Sequence, residues 1–218
     1  MKIENKKLLI QGTKTFGVDL SDEAVEAFDL YLRELTKWNQ KINLTAIRSE
    51  KEIVLRHFLD SLSVSPYLSG FCSLLDIGSG AGFPGIPLKI VHPSIKVTLI
   101  DSVRKKVDFQ RHIIRALDLK GIKAVHGRIQ DKDLVQTLAG EFDAVVSRAF
   151  SDLPRLLTLG YPFLKKGGVV VALKGSMRSG EVQLLSGKDE DPYRLKKMGM
   201  SVLPSTSLKK SILLFEKK

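Results

Sequence analysis

Between residues 73 and 174, short and almost wholly apolar runs alternate with helical patterns. That alternation most constrains what the chain can fold into. The runs are Ser73-Leu-Leu-Asp-Ile77, Lys96-Val-Thr-Leu-Ile-Asp101, Ile122-Lys-Ala-Val-His126, Phe142-Asp-Ala-Val-Val-Ser147 and Gly168-Val-Val-Val-Ala-Leu-Lys174. Strands apolar on both faces belong to a parallel sheet covered by helices on both sides. Residues 103–119, with Val107, Ile113, Ile114 and Leu117 on one face, read as a covering helix. Residues 193–203 and 208–216 read as two more strands joined by a turn at Pro204-Ser205, an antiparallel pair closing the sheet.

The first seventy residues have a different grammar. Val25, Phe28, Leu32 and Leu35 recur at spacings of three and four behind Ser21, which predicts an amphipathic helix to about Trp38. Ser49-Glu50-Lys51-Glu52 has the form of a capping box, and the helix behind it carries Ile53, Val54, Phe58, Leu59 and Leu62. The expected organisation is an α/β chain in which a helical extension, 1–70, and an α/β unit, 71–218, form one compact body. A disordered chain, a membrane-spanning chain and a disulfide scaffold are excluded. No run approaches the ~18 apolar residues of a membrane helix, and Cys72 is the single cysteine. A monomer of the reducing cytoplasm is the expected setting, with no metal. Cys72 itself reads as a small buried apolar residue.

Charge is unevenly placed. Residues 1–70 hold 10 basic and 10 acidic side chains, whereas 71–218 hold 25 and 14, so the whole net charge of +11 lies in the second part. Such an excess is a footprint for a polyanion, nucleic acid first.

The most informative stretch is Asp76-Ile-Gly78-Ser-Gly80-Ala-Gly82-Phe-Pro-Gly85. It directly follows the first strand and opens a helix. Glycines let the backbone turn sharply and let a ligand touch the main chain, and ligands of open parallel sheets bind beyond the carboxyl ends of the strands. Two ligand classes compete. Gly80-Ala-Gly82-Phe-Pro-Gly85 matches the dinucleotide pattern of nicotinamide oxidoreductases, with Asp101 at the distance of a ribose contact. The strand, however, stops at Ile77, which makes the phrase acidic-x-Gly-x-Gly-x-Gly. That phrase resembles the first motif of class I S-adenosylmethionine-dependent methyltransferases, whose cofactor brings an ammonium and a sulfonium that suit a carboxylate at Asp76. A non-catalytic RNA-binding module is the third reading.

If a methyl group is transferred, the end of the fourth strand selects the acceptor. It reads Ser147-Arg148-Ala149-Phe150, without the Asn/Asp-Pro-Pro-aromatic set of amino-group methyltransferases. Ring-carbon methylation needs a cysteine nucleophile, and Cys72 precedes the first strand. A ring nitrogen such as guanine N7 carries a lone pair and has no proton to lose, so no general acid or base is expected. His57, His92, His112 and His126 are scattered and read as surface or satisfied histidines.

Taken together, Trp38-Asn-Gln-Lys-Ile-Asn-Leu-Thr-Ala46, His57-Phe-Leu-Asp-Ser-Leu62, the glycine loop, Leu99-Ile-Asp-Ser102 with Lys105-Lys106, Gly127-Arg128 and Ser147-Arg-Ala-Phe150 resemble the RsmG (GidB) family of bacterial 16S ribosomal RNA guanine-N7 methyltransferases. The resemblance spans nearly the full length. It implies a Rossmann-like class I methyltransferase fold, S-adenosyl-L-methionine as cofactor, and 16S ribosomal RNA or the small ribosomal subunit as partner. It implies that Gly78 and Phe83 contact the cofactor, that Ile129 and Gln130 hold its adenine end, and that Arg148 reaches into the site. Asp76, Gly80 and Asp101 complete the expected cofactor set. The family has a small residue and Glu after Gly-Arg where this chain has Ile129-Gln130, whose amide oxygen still accepts from an adenine amino group. Arg148 otherwise reads as an ion-pair partner of a strand-end carboxylate such as Asp76. Arg104, Lys105, Lys106, Lys165, Lys166, Lys174 and Arg178 are the expected phosphate contacts, placed near one sheet edge, and Phe83 or Phe150 is a candidate stacking platform for the base. Residues 39–46 read either as a lid or as a plain helical connection.

Overall fold

The computed structural model describes residues 1–148, 152–175, 192–204 and 206–218. Phe150, Arg178 and Ser205 lie outside the described residues.

Seven strands form one sheet: β1 (Ser73–Ile77), β2 (Lys96–Asp101), β3 (Ile122–His126), β4 (Phe142–Ser147), β5 (Leu164–Lys174), β6 (Tyr193–Val202) and β7 (Lys209–Lys217), in the order β3-β2-β1-β4-β5-β7-β6. β1 to β5 pair in parallel, and β7 runs antiparallel to both its neighbours. The last strand therefore inserts between β5 and β6 rather than adding to the edge. The expected start of β5 at Gly168 is four residues late. Lys165, Lys166 and Gly167 lack the apolar signal, yet Leu164 already pairs with Phe142 ahead of a bulge.

Side-chain alternation along these strands feeds two cores. Leu74, Val97, Leu99 and Val146 face one, and Leu75, Ile77, Ile100 and Val145 face the other. Helices α5 (Gly85–Val91) and α6 (Arg104–Ala116) cover the first face through Ile86, Leu88, Phe109 and Ile113. On the second face lie α7 (Lys132–Leu138) and α8 (Leu153–Gly160), anchored by Leu138, Leu153 and Leu156. The amino-terminal helices join the first core: α1 (Ile3–Lys14) through Leu9, and α2 (Asp22–Asn39) through Phe28, Tyr31 and Leu35.

Ser21 caps α2 by accepting from the Ala24 N–H at 3.3 Å. The capping box at Ser49 does not form, because Ser49 makes no side-chain cap bond. Glu50 accepts from the Lys2 N–H and the Asn5 amide, tying α1 to the helix that begins at Glu50, and Glu52 pairs with Arg56. That helix is composite, with α3 (Glu50–Ile53), a π-helical stretch Val54–Leu59 and α4 (Asp60–Leu62) in succession. A π stretch displaces side chains from α-helical register and loosens its carbonyls, and here it carries Arg56 and His57. Cys72 is exposed, contrary to the reading as a buried residue, because it sits on the rim where β1 begins.

The chain runs outward from β1 to β2 and β3, then returns to β4 on the other side of β1. This reversal opens a crevice at the carboxyl ends of β1 and β4. It places the loop after Ile77, the end of β2 at Asp101, residues 127–130 and Arg148 at one edge of the sheet.

Candidate active site at the carboxyl edge of the sheet

The glycine loop is held from beneath by two carboxylates. Asp76 is fully buried; its Oδ2 accepts from the Gly85 N–H at 2.8 Å, and its Oδ1 has no partner. Burial pushes the Asp76 carboxyl up to about 7, against the opposing effects of the Gly85 bond and the Arg148 charge. Asp101 Oδ2 accepts from the Gly80 N–H at 2.7 Å and Oδ1 from the Val103 N–H at 2.8 Å. Gln110 donates to Ser79 Oγ and to the Gly80 carbonyl, and the Tyr31 hydroxyl donates to the Ala81 carbonyl. The loop is thus rigid before any ligand arrives. Gly78 and Gly80 have φ of +68° and +59°, and a Cβ on Gly78 would meet nothing within 4 Å. Bare main chain faces open space there.

Two cavities meet at Gly78. One, of about 510 Å³, runs past Asp101, Gly127, Arg128, Ile129 and Gln130. Ile129 is largely buried in the second core while Gln130 is exposed. The other, of about 190 Å³, is walled by Thr45, His57, Phe83, Lys106 and Arg148. The site residues expected from the sequence on either side of Gly78 therefore lie along one continuous edge. Asp76 does not line either cavity; it acts through the loop above it.

Several neighbours were not legible in the sequence. His57, read as an ordinary histidine, is 5% exposed and stacks on Phe83 with centroids 4.5 Å apart. Its Nε2 lies 2.8 Å from Thr45 Oγ1, and its Nδ1 is buried without a partner. Burial, reinforced by the Arg148 charge, pushes the imidazole down to about 3, so His57 stays neutral at physiological pH. Tyr31 stacks on Phe83 at 5.3 Å. With Phe83 only 3% exposed, its ring offers no open face to a base, which corrects that reading of it. Asn39 holds the 39–46 connection by accepting from the Leu44 and Thr45 N–H groups and donating to the Thr45 carbonyl. Leu44 and Thr45 thereby become wall residues of the smaller cavity.

Arg148 pairs with Asp60 at 3.6 Å and not with Asp76. It donates to the Arg56 carbonyl at 2.8 Å, and its guanidinium lies 5.2 Å from the Phe83 centroid. The only warning in the sequence was the segment His57-Phe-Leu-Asp60, which sets a histidine and a carboxylate three residues apart, on one face of a helix.

Basic residues divide between two edges. Arg104 and Lys105 are exposed at the start of α6, and Lys174 lies at the carboxyl end of β5. Lys165 and Lys166 were expected beside them but lie near the amino end of β5, where Lys165 pairs with Asp143 at 2.7 Å. With ~3.3 Å per residue, the sheet separates that edge from the crevice by well over 10 Å.

Residues 24–201 match the model of the GidB family, described as rRNA small subunit methyltransferase G. The chain is 40% identical to the ribosomal RNA small subunit methyltransferase G of Acetivibrio thermocellus, an alignment covering 99% of this chain and 90% of that protein. It is 47% identical to that of Geobacter metallireducens, over 80% of this chain and 79% of the other. Among solved structures, TrmN from Thermus thermophilus superposes with a TM-score of 0.52 at 16% identity, covering 76% of this chain and 53% of that one. M. jannaschii TYW2 in complex with AdoMet gives 0.52 at 16% identity, covering 67% and 69%. At such identities the structures speak for the fold alone, which is the class I S-adenosylmethionine methyltransferase arrangement expected from the sequence. The chain belongs to the rRNA small subunit methyltransferase G family.

Proposed function

We propose that this protein transfers a methyl group from S-adenosyl-L-methionine to N7 of a guanine in 16S ribosomal RNA of the small subunit. The observation that carries the reading is the carboxylate-anchored glycine crevice at the switch point, where the buried imidazole on its wall, His57, is pushed down to about 3 and stays neutral. A base is needed where a proton leaves. Guanine N7 has none to lose. Cys72 lies before β1, at the opposite edge from the loop, and cannot serve as a nucleophile in the crevice.

The residues present fit the cofactor. Open main chain at Gly78 admits close approach, and the unpartnered Asp76 Oδ1 gives the loop an uncompensated buried acceptor beneath a cationic ligand. When bound, the cofactor supplies an electrophilic sulfonium methyl. Gly78 and Gly80 give it main chain, Phe83 closes one wall, and Ile129 and Gln130 border its adenine end. Asp101 keeps spare lone pairs for ribose hydroxyls beyond its two main-chain bonds. Exclusion of water by Phe83, His57 and Leu44 strengthens each charge interaction inside. The test is tritium transfer to unmethylated small-subunit particles, followed by borohydride–aniline cleavage of the RNA. Label at one guanine that cleaves is the expected result; no transfer, or label that resists cleavage, refutes the reading.

Asp76 makes cofactor binding pH-dependent. Its folded pKa is raised, so the protonated form stabilises the fold at low pH and that contribution is lost as pH rises through about 7. A cation favours the ionised form. Affinity is therefore expected to rise about tenfold between pH 6 and pH 8, with proton release, in calorimetric titrations. Asp76→Asn removes that dependence. A flat profile in the wild type contradicts the role given to Asp76.

RNA is expected to approach the carboxyl edge through Arg104, Lys105 and Lys174. Reversing the charge of Arg104 and Lys105 together should lower the affinity for small-subunit RNA and reduce the salt slope by about two. Lys165→Ala should leave both unchanged; an equal loss in both variants would mean the RNA follows some other path. We place the protein in the cytoplasm as a monomer, with 1–70 and 71–218 acting as one unit because both contribute to the first core. None of the described helices is long and apolar enough to cross a membrane.

A further inference from the structure

A third cavity, of about 590 Å³, adjoins the smaller cofactor cavity and is lined by His57, Asp60, Arg148, Ser207, Leu208 and Lys210 among others. His57 and Arg148 line both. Gly78 and Ala81 belong only to the inner one, and Asp60 only to the outer one. A donor in the inner cavity and an acceptor in the outer one can therefore meet only at the rim formed by His57 and Arg148.

Asp60 is 1% exposed. Arg148 stands 3.6 Å from its Oδ2; Lys210 Nζ stands 3.1 Å from its Oδ1, outside hydrogen-bond geometry, so that oxygen is left without a hydrogen bond. A buried ion pair adds little net stability over well-packed apolar residues of the same volume. Two charges converging on a carboxylate that borders a cavity are better suited to recognition.

Resting on the function proposed above, we propose that this outer cavity receives the target base and that Asp60 selects guanine by accepting from its N1–H and N2–H groups. Guanine alone among the four bases sets two donors side by side on its Watson–Crick edge, and a carboxylate offers two acceptors with the matching span. Adenine presents an acceptor at N1 and is repelled. O6, next to N1, accepts from Arg148 or Lys210. Held by that edge, the purine points N7, on its opposite side, toward the rim shared with the cofactor cavity. The N7 lone pair then forms the new N–C bond as the S–C bond breaks. The electron pair stays on sulfur, the positive charge passes to the base, and no proton leaves.

The experiment compares guanosine with inosine, which keeps N7, O6 and N1–H and lacks only the N2 amino group. Wild-type transfer is mapped first on unmethylated particles. Particles are then reconstituted around ribosomal RNA ligated to carry inosine at the mapped position. Wild-type kcat/KM is expected to fall about tenfold on inosine, since one hydrogen bond to the buried carboxylate is then left unmade. Asp60→Asn should lower transfer to guanosine about a hundredfold, bring the two substrates within twofold of each other, and leave calorimetric cofactor affinity unchanged. A merely structural aspartate would lower both substrates equally and keep the ratio. A wild type indifferent to inosine, or a D60N enzyme that still prefers guanosine tenfold, overturns the proposal. Should D60N fail to bind cofactor, the wild-type ratio decides alone. No wild-type transfer to either particle is a different failure, which removes the function reading and this proposal with it.

Discussion

Arg148→Ala is expected to lower methyl transfer by a factor of about 10²–10³, the range seen when a preorganised charge contact is removed from a reacting centre. Three contacts fix this side chain: the Arg56 carbonyl at 2.8 Å, Asp60 at 3.6 Å and the Phe83 ring at 5.2 Å. It spans the rim between the two cavities, so its loss both removes a charge and widens the opening. The fold should survive. Asp60 keeps Lys210, and Arg148 is itself 22% exposed at its side chain, so about 1–3 kcal/mol of stability is lost for the unpaired groups. Chemical denaturation measures that loss, and single-turnover transfer measures the rate. Arg148→Lys restores the charge but not the planar fork that serves carbonyl and carboxylate together, and it should recover only part of the activity. Wild-type turnover in the alanine variant would show that Arg148 is only a structural partner of Asp60.

The second large effect separates binding from folding within the glycine loop. At Gly78 a methyl group would meet nothing within 4 Å, although φ is +68°. Alanine there costs about 1–2 kcal/mol of backbone strain but projects into the crevice, and cofactor affinity is expected to fall at least about a hundredfold, some 2.7 kcal/mol. At Gly85 the order reverses. A Cβ would sit 2.3 Å from Leu99 Cδ2 and 2.9 Å from Asp76 Oδ2, so Gly85→Ala overpacks the core, costing about 1–3 kcal/mol, and crowds the Asp76 bond that anchors α5. Melting temperature should drop by a few degrees in Gly78→Ala and further in Gly85→Ala, whereas calorimetry should show the larger loss of cofactor affinity in Gly78→Ala. Unchanged affinity in Gly78→Ala would mean that the ligand does not approach the main chain there.

Much of the frame was readable in advance because it is local. β1 to β4 fall on the apolar runs residue for residue. β5 begins earlier than its apolar run, at Leu164, whose pairing with Phe142 is set off from the regular ladder at Val169 by an irregular stretch that carries no apolar pattern. Likewise the capping box at Ser49 had the right residues, but its Glu52 pairs with Arg56 one turn on, and the local motif yielded to another local pair. His57 looked ordinary because nothing in its neighbourhood along the chain shows that Phe83 will stack on it. Lys165 and Lys166 stand at the edge opposite the crevice because they open β5, which runs parallel to β4, whereas Lys174 closes it.

The residue order by itself determined the alternating strands and helices, the turn of the glycine loop and the position of a crevice beyond Ile77. These depend on periodicity and on backbone freedom over a few neighbouring residues. Only the folded chain decided that β7 enters between β5 and β6, that Asp60 rather than Asp76 faces Arg148, and that a π-helical carbonyl 92 positions away holds the guanidinium. Such pairings follow from how whole faces pack, and packing energy is shared among residues that the sequence keeps far apart.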